Sequence, residues 1–173
     1  MKKIKIYIDG PSKKEMIEIK SDIVSGYTFN PTLFKNLGVS NYLEYSKEVV
    51  SLANGLPVSL EVIGDEPKEM ISQARTLSSL SDNVYVKIPI TYTSGKSTLD
   101  TISELVNDGV KQNITAIFTL EQVKEVLPVL KDSEAIISVF AGRLYDIGLD
   151  AAKLLKEIAL YVHSNSNCSV LWA

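Results

Sequence analysis

The sequence predicts an α/β protein of the (β/α)8 TIM-barrel type, and three observations carry that prediction. Short apolar runs rich in β-branched residues alternate with longer amphipathic stretches, in the order strand, helix, strand, helix. Each crossover is long enough to return the chain for parallel pairing, which lays helices over the sheet. Within several runs, polar side chains fall on one phase and aliphatic ones on the other. A closed parallel barrel has that character, with a helix-covered outer face and chemistry gathered at the C-terminal mouth.

The clearest run is Val84-Tyr85-Val86-Lys87-Ile88-Pro89-Ile90. Side chains alternate across a strand, so Val84, Val86, Ile88 and Ile90 share one face and Tyr85, Lys87 and Pro89 the other. If that second face also points into protein, the Lys87 amine is held at low dielectric, partly neutral, and nucleophilic toward carbonyls. On this run alone, an edge strand with Lys87 in solvent is the favoured reading. The same pattern elsewhere tips the balance inward. In Ile4–Asp9 the aliphatics take the even positions and Asp9 the opposite phase. In Val58–Val62, Glu61 stands opposite Val58, Leu60 and Val62. In Asn113–Phe118, Asn113 and Thr115 stand opposite Ile114, Ala116 and Phe118.

Taken in order, the first strand is Ile4–Asp9, followed by a turn at Gly10-Pro11-Ser12. Ser12 and Glu15 have capping-box spacing, and a short helix is expected to run to about Ser21. Ile23–Thr28 is the second strand. Pro31 suits a first helical turn and excludes a central strand. Asn30 therefore sits at a strand-to-helix junction, where its amide either caps the helix or meets a ligand. Leu33–Leu37 is a helical turn ended by Gly38, and Tyr42–Ala53 a full helix stopped by Asn54-Gly55. Pro57–Ile63 is the third strand, and Pro67–Leu80 an amphipathic helix with Met70, Ala74 and Leu77 on one stripe. After the lysine strand, Gly95-Lys96-Ser97-Thr98 resembles a phosphate loop, but the glycine required five positions earlier is Ile90, which excludes it. Thr98–Asn107 is a helix capped by Thr98 or Ser97. Lys111–Phe118 is the fifth strand, and Thr119 caps a helix over Glu121–Leu130, with Pro128 marking an irregularity or end. Ala135–Phe140 is the sixth strand, Asp150–His163 a long helix, and Cys168–Trp172 a seventh strand with Cys168 and Trp172 in the core. The remaining tyrosines, Met16 and Met70 are expected to pack, and His163 to have no chemical role.

Composition narrows the class of function. The 173 residues fit one domain, residues 1–173, with 45% hydrophobic and 23% charged residues, as in ordinary globular proteins. A formal charge of −3 argues against nucleic acid as the main partner. One cysteine and one histidine supply neither a disulfide nor a zinc site. No run approaches the roughly 20 apolar residues of a membrane span, and Lys5 and Asp9 interrupt any signal-like core behind Lys2 and Lys3. A cytoplasmic protein is expected.

Gly26-Tyr27-Thr28-Phe29-Asn30-Pro31-Thr32, Ser59-Leu60-Glu61-Val62, Val86-Lys87-Ile88-Pro89, Asn113–Phe118 and Ser138-Val139-Phe140-Ala141-Gly142-Arg143 together resemble the transaldolase family, in order and over the whole chain. The resemblance implies a class I aldolase barrel in which a strand-borne lysine forms an imine with a ketose, without metal or other cofactor. Lys87 matches that lysine, Asp9 the first-strand aspartate and Glu61 the acid/base glutamate. Thr115 matches a threonine that helps hold the catalytic water. Thr28, Asn30, Asn113, Ser138 and Phe140 match substrate-contacting positions, and Arg143 a phosphate-binding arginine. Phe29 and Val139 depart from the second threonine and the proline that the family often carries. Related fructose-6-phosphate aldolases have a proton-donating tyrosine where Phe140 stands, which favours transfer over simple cleavage.

The resemblance thus implies a transferase acting on sugar phosphates, in carbohydrate metabolism of the pentose phosphate type, and a homo-oligomer. An aldolase-like lyase, or an inactive barrel fragment, are the alternatives. Family members continue beyond Val170–Ala173 into further phosphate-site residues and an eighth strand, so about seven strands are expected here, with the last βα unit missing.

Overall fold

The computed structural model describes residues 4–19 and 22–173. Lys2, Lys3 and the helix end expected near Ser21 lie outside them. Seven strands form one parallel sheet whose spatial order is the chain order, β1 Ile6–Asp9, β2 Val24–Thr28, β3 Val58–Glu61, β4 Val84–Pro89, β5 Gln112–Ile117, β6 Ala135–Val139 and β7 Ser169–Trp172. Neighbours in sequence are therefore neighbours in space, as right-handed βα crossovers produce. The sheet curls like the wall of a (β/α)8 barrel, with β1 and β7 as its two edges.

The helices are α1 Lys13–Glu18, α2 Pro31–Asn36, α3 Tyr42–Leu52, α4 Pro67–Ser78, α5 Leu99–Asn107, α6 Leu120–Leu130, α7 Ala141–Asp146 and α8 Ala151–Asn165. Their starts follow the cap chemistry. Ser12 and Glu15 form a reciprocal capping box on α1, and Thr119 and Gln122 do the same on α6. Asn41 and Asp150 cap α3 and α8 through their side-chain oxygens. Pro31 occupies the first turn of α2, where its missing N–H costs no bond. Thr98 begins α5 without capping it; its hydroxyl instead donates to the Pro89 carbonyl at 2.6 Å.

The aliphatic phase of each central strand packs outward against the helices. Leu60, Val86, Ile88, Ile114, Ile137 and Val139 are all fully buried. Each such side chain contributes about 1.5–3 kcal/mol by leaving water, and Met16, Met70 and Cys168 belong to the same core. Burial also pushes the Cys168 thiol above its ordinary pKa.

Several expectations need correction. The strands are one to three residues shorter than their expected spans, because the ladder does not extend to both ends of each run. The aliphatic phase is not covered at the start of β1 or just before it, with Ile6 46% and Ile4 87% exposed. Trp172 is not core: it is half exposed at the end of the edge strand β7 and stacks loosely on Tyr145, itself exposed rather than packed. The end of α6 at Leu130 is as expected, and of the two readings of Pro128 the structure excludes an end. The helix tolerates the lost Pro128 donor because its core-facing stripe, Val123, Val126, Leu127 and Leu130, remains buried. The six-residue α7 follows β6 directly, a helix the sequence reading did not place.

The α6 capping box yields a stability prediction. Thr119→Ala removes the acceptor for the Gln122 N–H and should lower unfolding stability by about 1 kcal/mol, read as a shift in urea midpoint at unchanged m-value.

Candidate active site

Register assembles the site. In the parallel ladders Glu61 of β3 is level with Lys87 of β4, and Lys87 with Asn113 of β5. Adjacent strands lie about 4.8 Å apart, so an acid and an amide flank the lysine from either side. The contact is direct on the acidic side, where Lys87 Nζ lies 3.2 Å from Glu61 Oε2. The Lys87 side chain is only 10% exposed and that of Glu61 22%. The alternative with Lys87 in solvent is thereby excluded.

Lys87 opens onto a cavity of about 1500 Å³ on the inner side of the curled sheet. Asp9, Thr28 and Asn30 line it from the β1–β2 side, Asn113 and Thr115 from β5, and Ser138, Phe140 and Arg143 from the β6 side. Thr28 Oγ1 donates to Asp9 Oδ1 at 2.5 Å, which orients a carboxylate that is otherwise solvent-exposed. The Asn30 side-chain oxygen accepts from the Leu33 N–H at 2.9 Å, so the capping reading holds for that atom, while the residue still lines the cavity. Arg143 stands on α7 at the open end, largely exposed, with Nη1 3.4 Å from Asp146 Oδ2. Phe140 starts α7 and meets Phe118 edge-on at 5.6 Å between ring centres.

A polar chain crosses the interior behind these groups. Ser138 Oγ donates to Asn113 Oδ1 at 2.6 Å, and Asn113 Nδ2 donates to Ser59 Oγ at 3.0 Å. All three residues are buried. Tyr42, from α3, donates its hydroxyl to the Glu61 carbonyl at 2.6 Å, and its pKa lies well above the usual range because the ring is buried. That bond ties the end of β3, and so the Glu61 backbone, to α3.

Thr115 is buried, and its hydroxyl makes no hydrogen bond among the described residues. A buried hydroxyl without a protein partner is a place for an ordered water. The next residue departs from the expected alternation. Ala116 has φ +58°, in the left-handed region, and the β5–β6 register slips by one residue between Ile114 and Ile117. This bulge returns Ile117 to the fully buried outer face, opposite Val139, and frees Phe118 to meet Phe140. Phe118 was expected on the aliphatic phase, and the extra residue overturns that.

Three contributors escaped the sequence reading. Ser59 shares the phase of Glu61, so strict alternation would have nominated it. Tyr42 and the Ala116 bulge carry no local signal, since alanine seldom adopts a left-handed conformation. Among the described residues no group of three or more His, Cys, Asp or Glu is placed to hold a metal, and no helix is long and apolar enough to cross a membrane.

Comparison with known proteins bears on this constellation. A family model described as transaldolase/fructose-6-phosphate aldolase matches residues 6–173. A "probable transaldolase" of Bartonella tribocorum is 34% identical over 172 residues, covering 98% of this chain and 75% of the relative. A "probable transaldolase" of Methanococcus maripaludis is 35% identical over 156 residues, covering 90% and 68%. A "probable transaldolase 2" of Listeria monocytogenes is 38% identical over 156 residues, covering 90% and 67%.

The strained bulge yields a second prediction. Ala116→Gly should raise stability by up to about 1 kcal/mol, whereas Ala116→Val should lower it by about 2 kcal/mol, because a β-branched residue resists the left-handed region. Urea unfolding of the two variants checks the ordering.

Proposed function

The chain belongs to the transaldolase/fructose-6-phosphate aldolase family, and from that premise we propose a transferase that moves a dihydroxyacetone unit between sugar phosphates through an imine on Lys87. The observation that carries the proposal is the buried Lys87 amine, 3.2 Å from a carboxylate and open to the cavity. A nucleophilic amine needs a nearby base to take up and return protons, and Glu61 is within reach of that task.

In this reading Glu61 takes a proton from the Lys87 ammonium, and the freed Nζ attacks the C2 carbonyl of the ketose phosphate to give a carbinolamine. Glu61, through a water held by Thr115, delivers the proton with which the hydroxyl leaves as water. The resulting protonated imine is the electron sink. Asp9 takes the proton of the C4 hydroxyl, the C3–C4 bond breaks, and its electron pair flows into the imine to leave an enamine on Lys87. The aldose departs, an acceptor aldehyde enters, and the reverse steps build the new ketose. Thr28 holds Asp9 in orientation, as the 2.5 Å bond supports. Asn30, Asn113 and Ser138 contact the substrate hydroxyls, and Arg143 offers a bidentate fork for the phosphate. This chemistry calls on no metal or organic cofactor. Phe140 carries no hydroxyl and so cannot protonate the enamine, which favours transfer over net cleavage by a lyase. A cytoplasmic setting, a place in pentose phosphate metabolism and assembly into a homo-oligomer accompany the proposal.

Borohydride reduction in the presence of fructose 6-phosphate, followed by peptide mass spectrometry, should locate a reduced adduct on Lys87. Lys87→Arg should abolish the adduct and lower turnover at least about 10³-fold, because a guanidinium stays protonated and cannot attack. An intact, folded chain without an adduct would overturn the proposal. Omitting the acceptor aldehyde should leave turnover at least about tenfold lower if transfer is the main reaction; equal turnover would identify a lyase.

A further inference from the structure

The Asn113 carboxamide is gripped at both ends. Its oxygen accepts from Ser138 on β6 at 2.6 Å, and its nitrogen donates to Ser59 on β3 at 3.0 Å. Ser59 and Asn113 are wholly buried and Ser138 is 1% exposed, so water does not compete for either bond. A carboxamide has two N–H donors and two acceptor lone pairs. One of each is used by the serines, and one of each remains. Because the two serines lie on strands either side of the β4–β5 pair, their bonds fix the plane of the amide. The remaining groups are thereby held in the cavity that Asn113 lines together with Lys87, its ladder neighbour.

We propose that Ser59 is a positioning residue for the reaction: with Ser138 it clamps the Asn113 amide so that its free N–H and lone pair present a fixed pair of hydrogen-bonding groups beside Lys87. Ser59 itself need touch no substrate. The inference rests on the reading of Asn113 as a substrate-binding group, and it adds the element that makes such a group specific. An amide held at one end only can rotate about its last side-chain bond and offer donor or acceptor indifferently. Held at both ends it offers one arrangement, which discriminates a hydroxyl in the right position from one displaced along the sugar.

Two measurements on the full chain test the clamp. The first needs no turnover. The side-chain amide protons of Asn113 are assigned by ¹⁵N NMR through their loss in Asn113→Ala, and their exchange with solvent is compared in parent and Ser59→Ala. The clamp predicts exchange at least about tenfold faster in the variant, the loss of one buried hydrogen bond. Ser59→Cys, nearly the same size but a poor acceptor, should behave alike and serves where Ser59→Ala does not fold. The second measurement is a double-mutant cycle on kcat/KM with fructose 6-phosphate and an acceptor aldehyde. Ser59→Ala should cost about tenfold in the parent and less than about twofold when Asn113 is already alanine. Unchanged amide exchange, or an equal kinetic loss with and without Asn113, overturns the proposal. Failure to trap an adduct on Lys87 in the parent would instead defeat the imine reading, and the exchange measurement would still decide the clamp.

Discussion

The contact on which this molecule turns is the one between Lys87 and Glu61. An ammonium side chain that is 10% exposed and a carboxylate that is 22% exposed meet at 3.2 Å. Removing either charge from water is expensive, and their attraction offsets that cost only while each keeps the other as partner. Everything else in the inner face is consistent with holding that pair in place. The ladder sets the two residues level on neighbouring strands. The fully buried outer residues, Leu60 beside Glu61 and Val86 and Ile88 on either side of Lys87, lock the strands to the helices and prevent a one-residue slip. Such a slip would exchange the two faces and drive Lys87 into the aliphatic layer.

Around that pair the interior is graded from satisfied to unsatisfied polarity. Deepest are the serines and the Asn113 amide, bonded to one another across three strands. Nearer the cavity the groups carry fewer bonds: among the described residues the Thr115 hydroxyl has no hydrogen-bond partner, Asp9 accepts from Thr28, and the largely exposed Arg143 meets only Asp146. Bound polar groups make a rigid floor, and free ones make a surface that a polyhydroxylated ligand can engage. The left-handed Ala116 lies at the boundary between these zones. The bulge lets β5 keep Thr115 facing the cavity and still return Ile117 to the helix-covered side, so a small backbone strain is exchanged for a buried isoleucine.

Much of this was legible from the residues in order. The period-two alternation in Val84–Ile90 sufficed to put Lys87 opposite an aliphatic face, and the same phase in Val58–Val62 put Glu61 inward. The capping box at Ser12 and the cap at Thr119 were readable because their chemistry is local, confined to four residues. What escaped depends on neighbours distant in sequence. The partnership of Ser59, Asn113 and Ser138 exists only once β3, β5 and β6 have been placed, and the tie from Tyr42 to Glu61 only once α3 has docked. The short α7 contains Gly142 and too few residues for a helical period to declare itself. Trp172 and Ile4 were expected on aliphatic or core positions, but Trp172 ends the edge strand β7 and Ile4 precedes the edge strand β1, where burial depends on what lies alongside rather than on the residue.

The sharpest test of the central pair is a double-mutant cycle in unfolding stability, using Lys87→Met, Glu61→Gln and the combination, each followed by urea denaturation. A buried pair of mutually dependent charges should give a coupling free energy of about 1–3 kcal/mol, the double variant being more stable than the sum of the single losses implies. Losses that simply add, to within about 0.5 kcal/mol, would contradict the account, because the two charges would then be solvated independently and the inner face would not be holding them together.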